Sequence, residues 1–245
     1  MSARDFLGGR LRLLQPDGGH RAGTDAVLLA AAISAPGGVL VDAGAGVGTV
    51  GLAYAARCPA LRVQLVEIAG EAAGFAARNI AGNELADRVA LMHADLLAAR
   101  ERRAAGLADG AADAVVTNPP FHAAGAVRAS PDAGRAAAHV MAASLEQWLA
   151  ACLALLRPGG TLALIHRADA LAEILAASQG RMGAATVLPV HPRAGEAAVR
   201  ILVRGIKGSR ARPGIAPGLV LHAADGAFTP EAEALHRGEA LLRWP

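Results

Sequence analysis

Aromatic residues make up only 3% of this 245-residue chain, and cysteine occurs twice, at Cys58 and Cys152. Two cysteines build neither a disulfide framework nor a zinc site, and no metal is expected. Both lie in Ala/Leu-rich stretches that read as helical, where a thiol is buried and inert. The scarcity of aromatics, with no recognisable nucleic-acid module, leaves charge and shape as the means of contacting a polyanion. Long apolar runs are also missing, although 53% of the residues are hydrophobic. The cleanest run, Ala26 to Ile33, falls far short of the roughly 20 residues a membrane-spanning helix needs. Met1 to Arg12 mixes Arg and Asp with Gly and has no apolar centre, so it does not read as a signal peptide. A soluble, cytoplasmic chain is expected. The formal net charge of +3 permits a polyanionic partner without demanding one.

What is present is a regular alternation. Phe6 to Gly23 reads as a hairpin, and Thr24 to Ile33 as a helix with Thr24 at its cap. Strands are expected at Val39 to Ala43, Arg62 to Ile68, Val89 to Asp95, Ala112 to Thr117 and Thr161 to His166. Helices are expected at Val47 to Arg57, Gly70 to Ala81, His139 to Leu156 and Ala168 to Ala177. This order implies an α/β domain with a mostly parallel sheet covered on both faces. Two late strands, Thr186 to Val190 and Ala197 to Gly205, have no helix between them and should pair antiparallel at one edge, giving seven strands. The expected organisation is one domain: residues 1–38 as hairpin and capping helix, 39–208 as core, 209–245 as extension. Monomer and homodimer both remain open.

The first strand runs into Val41-Asp42-Ala43-Gly44-Ala45-Gly46-Val47-Gly48-Thr49. Glycines there let the backbone approach a ligand and turn sharply into a helix. Alone the pattern is weak, since Gly46, Gly48 and Gly51 also match dinucleotide spacing. Three acids add weight: Asp42 at the head of the loop, Glu67 ending the second strand beside Ile68, and Asp95 ending the third. In a doubly wound sheet the carboxyl ends of neighbouring strands line one crevice, so three carboxylates converge. A carboxylate after the second strand suits two ribose hydroxyls, and Asp95 suits an amino group of adenine.

The sharpest signal is Asn118-Pro119-Pro120-Phe121, directly after the fourth strand. Two prolines fix the backbone and remove two N–H donors. What remains is acceptor-rich, and it suits an amide or exocyclic –NH₂ whose lone pair must face an electrophile. Phe121 suits stacking on a planar group. A methyl donor that is already electrophilic needs positioning more than a base. His122 follows and suits a substrate contact, although a solvent-exposed His is as common there.

The Gly loop, the acids and the late hairpin together resemble class I S-adenosylmethionine-dependent methyltransferases, whose sheet is Rossmann-like. The resemblance implies Gly44, Gly46 and Gly48 around the methionine portion, Glu67 on the ribose and Asp95 on the adenine. Asp42, Ile68 and Asn118 complete the cofactor set. Asn118 to Phe121 resembles the Asn-Pro-Pro-Tyr/Phe motif of enzymes that methylate adenine N6, guanine N2 or glutamine amides. With Gly23-Thr24-Asp25-Ala26-Val27-Leu28-Leu29 and the C-terminal Asp225-Gly226-Ala227-Phe228-Thr229-Pro230-Glu231, the chain resembles the tRNA(Val) adenine N6-methyltransferase family. That resemblance implies tRNA as partner and places Thr24 and Asp25 at the cofactor pocket. Phe121 stands where many members carry Tyr. The guanine-N2 enzymes usually carry a second domain for which this chain has no room, and the glutamine enzymes a helical N-terminal domain.

Basic residues cluster late, at Arg193, Arg200, Arg204, Lys207, Arg210 and Arg212. Arg200 and Arg204 share a strand face. The stripe suits RNA phosphates, or equally a charged edge that discourages aggregation. Arg128, Arg135 and His139 follow the Asn-Pro-Pro-Phe motif and suit the mouth of a substrate site. A nicotinamide-dependent oxidoreductase would share the Gly loop but leave Asn118 to Phe121 unexplained.

Overall fold

The computed structural model of the protein describes residues 2–16, 23–34, 37–120 and 143–245. An N-terminal hairpin pairs β1 (Ser2–Phe6) with β2 (Leu11–Gln15). Helix α1 (Thr24–Ala30) leads into the main sheet. There β3 (Gly38–Ala43), β4 (Leu61–Glu67), β5 (Val89–His93), β6 (Ala112–Thr117) and β7 (Leu156–Arg167) run parallel. They are connected through α2 (Thr49–Arg57), α3 (Gly70–Gly82), α4 (Ala99–Ala104) and α5 (Leu145–Leu155). A 3₁₀ turn and α6 (Leu171–Ser178) then precede β8 (Met182–Arg193) and β9 (Arg200–Lys207).

The expected antiparallel edge is present: β9 lies between β7 and β8 and opposes both. The sheet has nine strands among the described residues rather than seven. β10 (Gly214–Ile215) and β11 (Leu219–His222) both add in parallel to β8. No regular alternation marks these short pieces, so only their pairing reveals them. A last helix, α7 (Pro230–His236), is capped by the Thr229 hydroxyl, which accepts from the Ala232 N–H at 3.2 Å.

The central strands are packed on both faces. Leu40, Ala114, Val116, Ala163 and Ile165 pack toward α1, α2 and the C-terminal Leu235 and Leu242. Val41, Val115, Leu162 and Leu164 pack toward α5 and Ile174 of α6. Residues alternate in direction along a strand, so burial of both sets requires helices on both sides. No helix among the described residues is long and apolar enough to cross a membrane.

Several local expectations change. Gly23, not Thr24, occupies the cap of α1, and no side chain bonds there; Thr24 is the first helical residue. Helix α2 starts at Thr49 rather than Val47, because Gly48 is left-handed with φ 87°. A side chain at Gly48 would also meet Leu65 Cδ1 at 2.9 Å. Helix α5 starts at Leu145, where Ser144 and Gln147 form a reciprocal cap. Cys152 is buried as expected, but Cys58 is only half-buried.

Helix α3 holds the N-terminal hairpin by side-chain amides. Asn79 accepts from the Leu14 N–H at 2.7 Å and donates to the carbonyls of Leu14 (3.0 Å) and Val47 (2.9 Å). One turn on, Asn83 makes the same reciprocal pair with Arg12, both bonds at 2.9 Å. An i, i+4 spacing on the helix thus matches an i, i+2 spacing on the strand, and the edge of β2 is satisfied without another strand. Asn79 is 1% exposed. Asn79→Ala should therefore cost about 3 kcal/mol by stranding buried backbone groups. Urea unfolding tests this, and an unchanged midpoint would mean that the hairpin docks by apolar contact alone.

Candidate active site

The strand register decides where the functional segments emerge. Ala43 pairs with Val66 on one side and Thr117 on the other. The Gly loop, Glu67 and Asn118 therefore all begin at one level, at the carboxyl edge of the sheet. The Thr117 hydroxyl bridges the gap, donating to the Ala43 carbonyl at 2.8 Å and accepting from the Trp148 indole N–H at 2.9 Å. Trp148 in turn packs on Gly44: a Cβ there would lie 2.9 Å from its Cζ2, and Gly44 has φ 73°. Glycine is required at that position by both space and backbone conformation.

Above this junction opens a cavity of about 720 Å³, a volume suited to a small-molecule cofactor. Thr24, Asp25, Asp42, Gly44, Gly46, Glu67, Ile68, Asn118, Pro119 and Pro120 all line it. Gly48 and Asp95 are not among the lining residues. Gly48 serves the turn into α2. Asp95 is buried and accepts from the Leu97 N–H at 2.8 Å, while its neighbours Ala94 and Leu96 face the cavity. Phe121, His122, Arg128, Arg135 and His139 lie outside the described residues.

Sequence reasoning missed Thr49 as a cavity residue, and missed Glu71, Phe75 and Trp148 altogether. Phe75 carries the Arg78 guanidinium over its ring at 4.3 Å. In a chain with only two tryptophans, the position of Trp148 after a capping box was the available signal, but helix periodicity makes such a residue core by default.

The carboxylates are held differently. Glu67 accepts from the N–H groups of Gly46 (2.8 Å) and Ala69 (2.7 Å), which fixes it at the loop while leaving further lone pairs for hydroxyls. Asp42 is 2% exposed and accepts from the Gly51 N–H at 2.8 Å, satisfying a donor in the first turn of α2. Burial pushes its carboxyl up from the ordinary 3.8 to about 7; the Gly51 bond opposes this and the nearby Glu67 charge adds to it. Asp25 pairs with Arg200 at 2.9 Å.

Among the described residues, two buried polar atoms of cavity-lining residues have no partner: Thr49 Oγ1 and Asn118 Oδ1. An unmet buried acceptor or hydroxyl costs about 1–3 kcal/mol unless a ligand supplies the missing bond. The residues thus fit a cationic cofactor bearing hydroxyl and amino groups. Four carboxylates, a glycine-rich approach and unfilled polar atoms face one space.

The basic stripe is largely engaged within the molecule. Arg193 pairs with Glu196 at 3.5 Å, Arg200 with Asp25, and Arg204 covers the Trp244 ring at 4.6 Å. Lys207 Nζ donates to the Leu156 carbonyl at 2.6 Å. Arg210 and Arg212 are exposed.

Comparison with known proteins agrees with this geometry. The family model of the methyltransferase small domain matches residues 21–182. A predicted O-methyltransferase, protein Atu636 from Agrobacterium tumefaciens, is 35% identical with a TM-score of 0.75, over 89% of this chain and 98% of that one. The precorrin-6y C5,15-methyltransferase of Geobacter metallireducens shares the fold at 19% identity and TM-score 0.51, covering 76% of this chain and 87% of its own. Geranyl diphosphate C-methyltransferase from Streptomyces coelicolor, solved with S-adenosyl-L-homocysteine, does so at 15% and 0.51, covering 75% and 74%. No curated protein matches the chain.

Two outcomes follow from the carboxylates. Glu67→Ala should weaken binding of S-adenosylhomocysteine by about ten-fold in calorimetry, through loss of a hydroxyl partner and of the Gly46 anchor. An unchanged dissociation constant would remove Glu67 from the cofactor site. Asp42 should give the ligand-free protein a pH-dependent stability. Between 3.8 and about 7 the native carboxyl keeps its proton while the unfolded one has lost it. Stability from this group therefore falls as pH rises through that window. Melting temperatures of Asp42→Asn and wild type, compared at roughly pH 5 and roughly pH 8, should diverge in favour of the variant at the higher value. Parallel curves would assign the titration elsewhere.

Proposed function

The chain belongs to the methyltransferase small domain family and is an S-adenosylmethionine-dependent methyltransferase; from that premise we propose that it methylates an exocyclic amine of RNA, N6 of an adenine in tRNA. The observation that carries this reading is Asn118 Oδ1, buried in the cavity wall without a partner among the described residues and followed by two prolines that offer no N–H.

When bound, S-adenosylmethionine supplies a methyl group activated by its sulfonium. The remaining work belongs to the chain. Glu67 holds hydroxyls at the loop it also anchors, and the carboxylates of Glu67 and Glu71 favour a cationic ligand, while Asp25 is balanced by Arg200. Asn118 Oδ1 accepts one hydrogen of the amine and a prolyl carbonyl the other, which turns the nitrogen lone pair toward the methyl group. The nitrogen becomes acidic only after methylation, so its proton then passes to water and no strong base is required. A hydroxyl acceptor, which the name given to the Agrobacterium relative suggests, must lose its proton during attack, and an amide side chain does not take it up. Asn118 therefore favours nitrogen. Guanine N2 and a glutamine amide offer the same –NH₂ and form the second reading.

RNA is supported by the net positive charge, by exposed Arg210 and Arg212, and by the resemblance carried by the Gly-Thr-Asp and C-terminal segments. A target adenine has to be unpaired or flipped out to reach the cavity.

The test is transfer of labelled methyl to total tRNA lacking the host modification, followed by nucleoside mass spectrometry. The expected product is N6-methyladenosine. Asn118→Ala should lower its formation on the order of 100-fold, since misplaced reacting groups lose that much, with cofactor affinity nearly unchanged. Transfer to guanine or to protein glutamine instead would replace adenine as the target.

A further inference from the structure

The family match ends at residue 182, yet the C-terminal segment beyond it reaches the cofactor cavity from behind. Thr24 and Asp25 form part of the cavity wall. Behind them stands His236, the last residue of α7. Its Nδ1 lies 2.8 Å from the Ala232 carbonyl, and its Nε2 lies 3.3 Å from Thr24 Oγ1. A carbonyl only accepts, so Nδ1 carries a hydrogen. In the tautomer protonated at Nδ1 alone, Nε2 is the bare acceptor and the Thr24 hydroxyl donates to it.

This arrangement is braced. His236 stacks on Phe228 with centroids 4.1 Å apart, and Phe228 stacks on His222 at 4.9 Å. The loop between them is bound to β11: the Thr229 N–H donates to the Leu221 carbonyl at 2.9 Å, and the Thr229 hydroxyl to the Val220 carbonyl at 2.8 Å. The far end of α1 is held by the same segment. The Leu242 N–H donates to the Ala31 carbonyl at 3.0 Å and the Trp244 indole to the Ala32 carbonyl at 2.8 Å. Arg200, the first residue of β9, fixes Asp25 at 2.9 Å.

We propose that His236 is a positioning residue for cofactor binding, setting the polarity of the Thr24 hydroxyl so that its oxygen accepts from an N–H group of the cofactor. With its hydrogen committed to His236, the Thr24 oxygen offers the cavity only lone pairs. An amino or ammonium group is matched, and a ligand carbonyl or carboxylate at that spot is not. The inference rests on the assignment of this cavity to the methyl donor.

Calorimetry with S-adenosylhomocysteine on the full chain tests it without reference to the methylated substrate. Thr24→Val, which keeps the shape and removes the hydroxyl, should weaken binding about ten-fold, and Thr24→Ser should restore it. His236→Phe keeps a ring on Phe228 but lacks the acceptor, and should weaken binding several-fold. The double variant should bind no worse than Thr24→Val, because one interaction is removed twice. A purely structural role would lower the melting temperature and leave affinity unchanged. Normal affinity in His236→Phe, or strictly additive losses, would overturn the proposal. If His236→Phe folds poorly, His236→Gln, whose amide oxygen can take the Thr24 hydrogen, should bind as wild type, and a loss as large as that of Thr24→Val would overturn the proposal. Failure of the wild-type chain to bind would overturn the cavity assignment and this proposal together.

Discussion

Everything at the site depends on the register of β3 between β4 and β6. Pairing of Ala43 with Val66 and with Thr117 brings three segments, separate in the chain, to one edge. The Thr117 hydroxyl then ties the strand that feeds the Gly loop to the strand that feeds Asn118, with Trp148 closing the junction from α5. A one-residue slip would turn every side chain of a strand to the opposite face, and both faces here are packed. The core therefore enforces the register, and the register brings the Gly loop, Glu67 and the Asn118 motif together.

That rigidity allows the cavity to keep costly groups. Asp42 is buried with one backbone bond, and Thr49 Oγ1 and Asn118 Oδ1 have no partner among the described residues. Polar groups left in this state destabilise a fold unless a ligand completes them. Glu67 shows the opposite case, with both oxygens engaged by loop N–H groups before any ligand arrives. The site thus combines a carboxylate fixed in advance with acceptors left open, which is the pattern of a pocket that orients its ligands.

The basic stripe illustrates how tertiary contacts reassign charge. Arg200, Arg204 and Lys207 each face an internal partner: Asp25, the Trp244 ring and the Leu156 carbonyl. Contact of these three with phosphate would compete with bonds that hold α1, the tail and the start of β7. Arg210 and Arg212 carry no such burden in their exposed positions.

The sequence by itself determined the α/β class, the Gly loop, the carboxylate at Glu67 and the Asn118 motif. Each is a local signal: strand-to-helix punctuation, a glycine conformation, or a proline pair. It also marked the late hairpin, because two strands without a helix between them must turn back. Only the tertiary structure decided the rest. Asp95 accepts from the Leu97 N–H of its own loop, a contact that no sequence spacing announces. Thr24 entered the helix instead of capping it, and its hydroxyl found His236 across the chain. Phe75 and Trp148 became cavity walls although their spacing reads as core. Two short strands joined β8 with no periodic pattern to announce them. These outcomes depend on which surfaces meet once the sheet has formed, and pairwise proximity between distant segments is not written in any local run of residues.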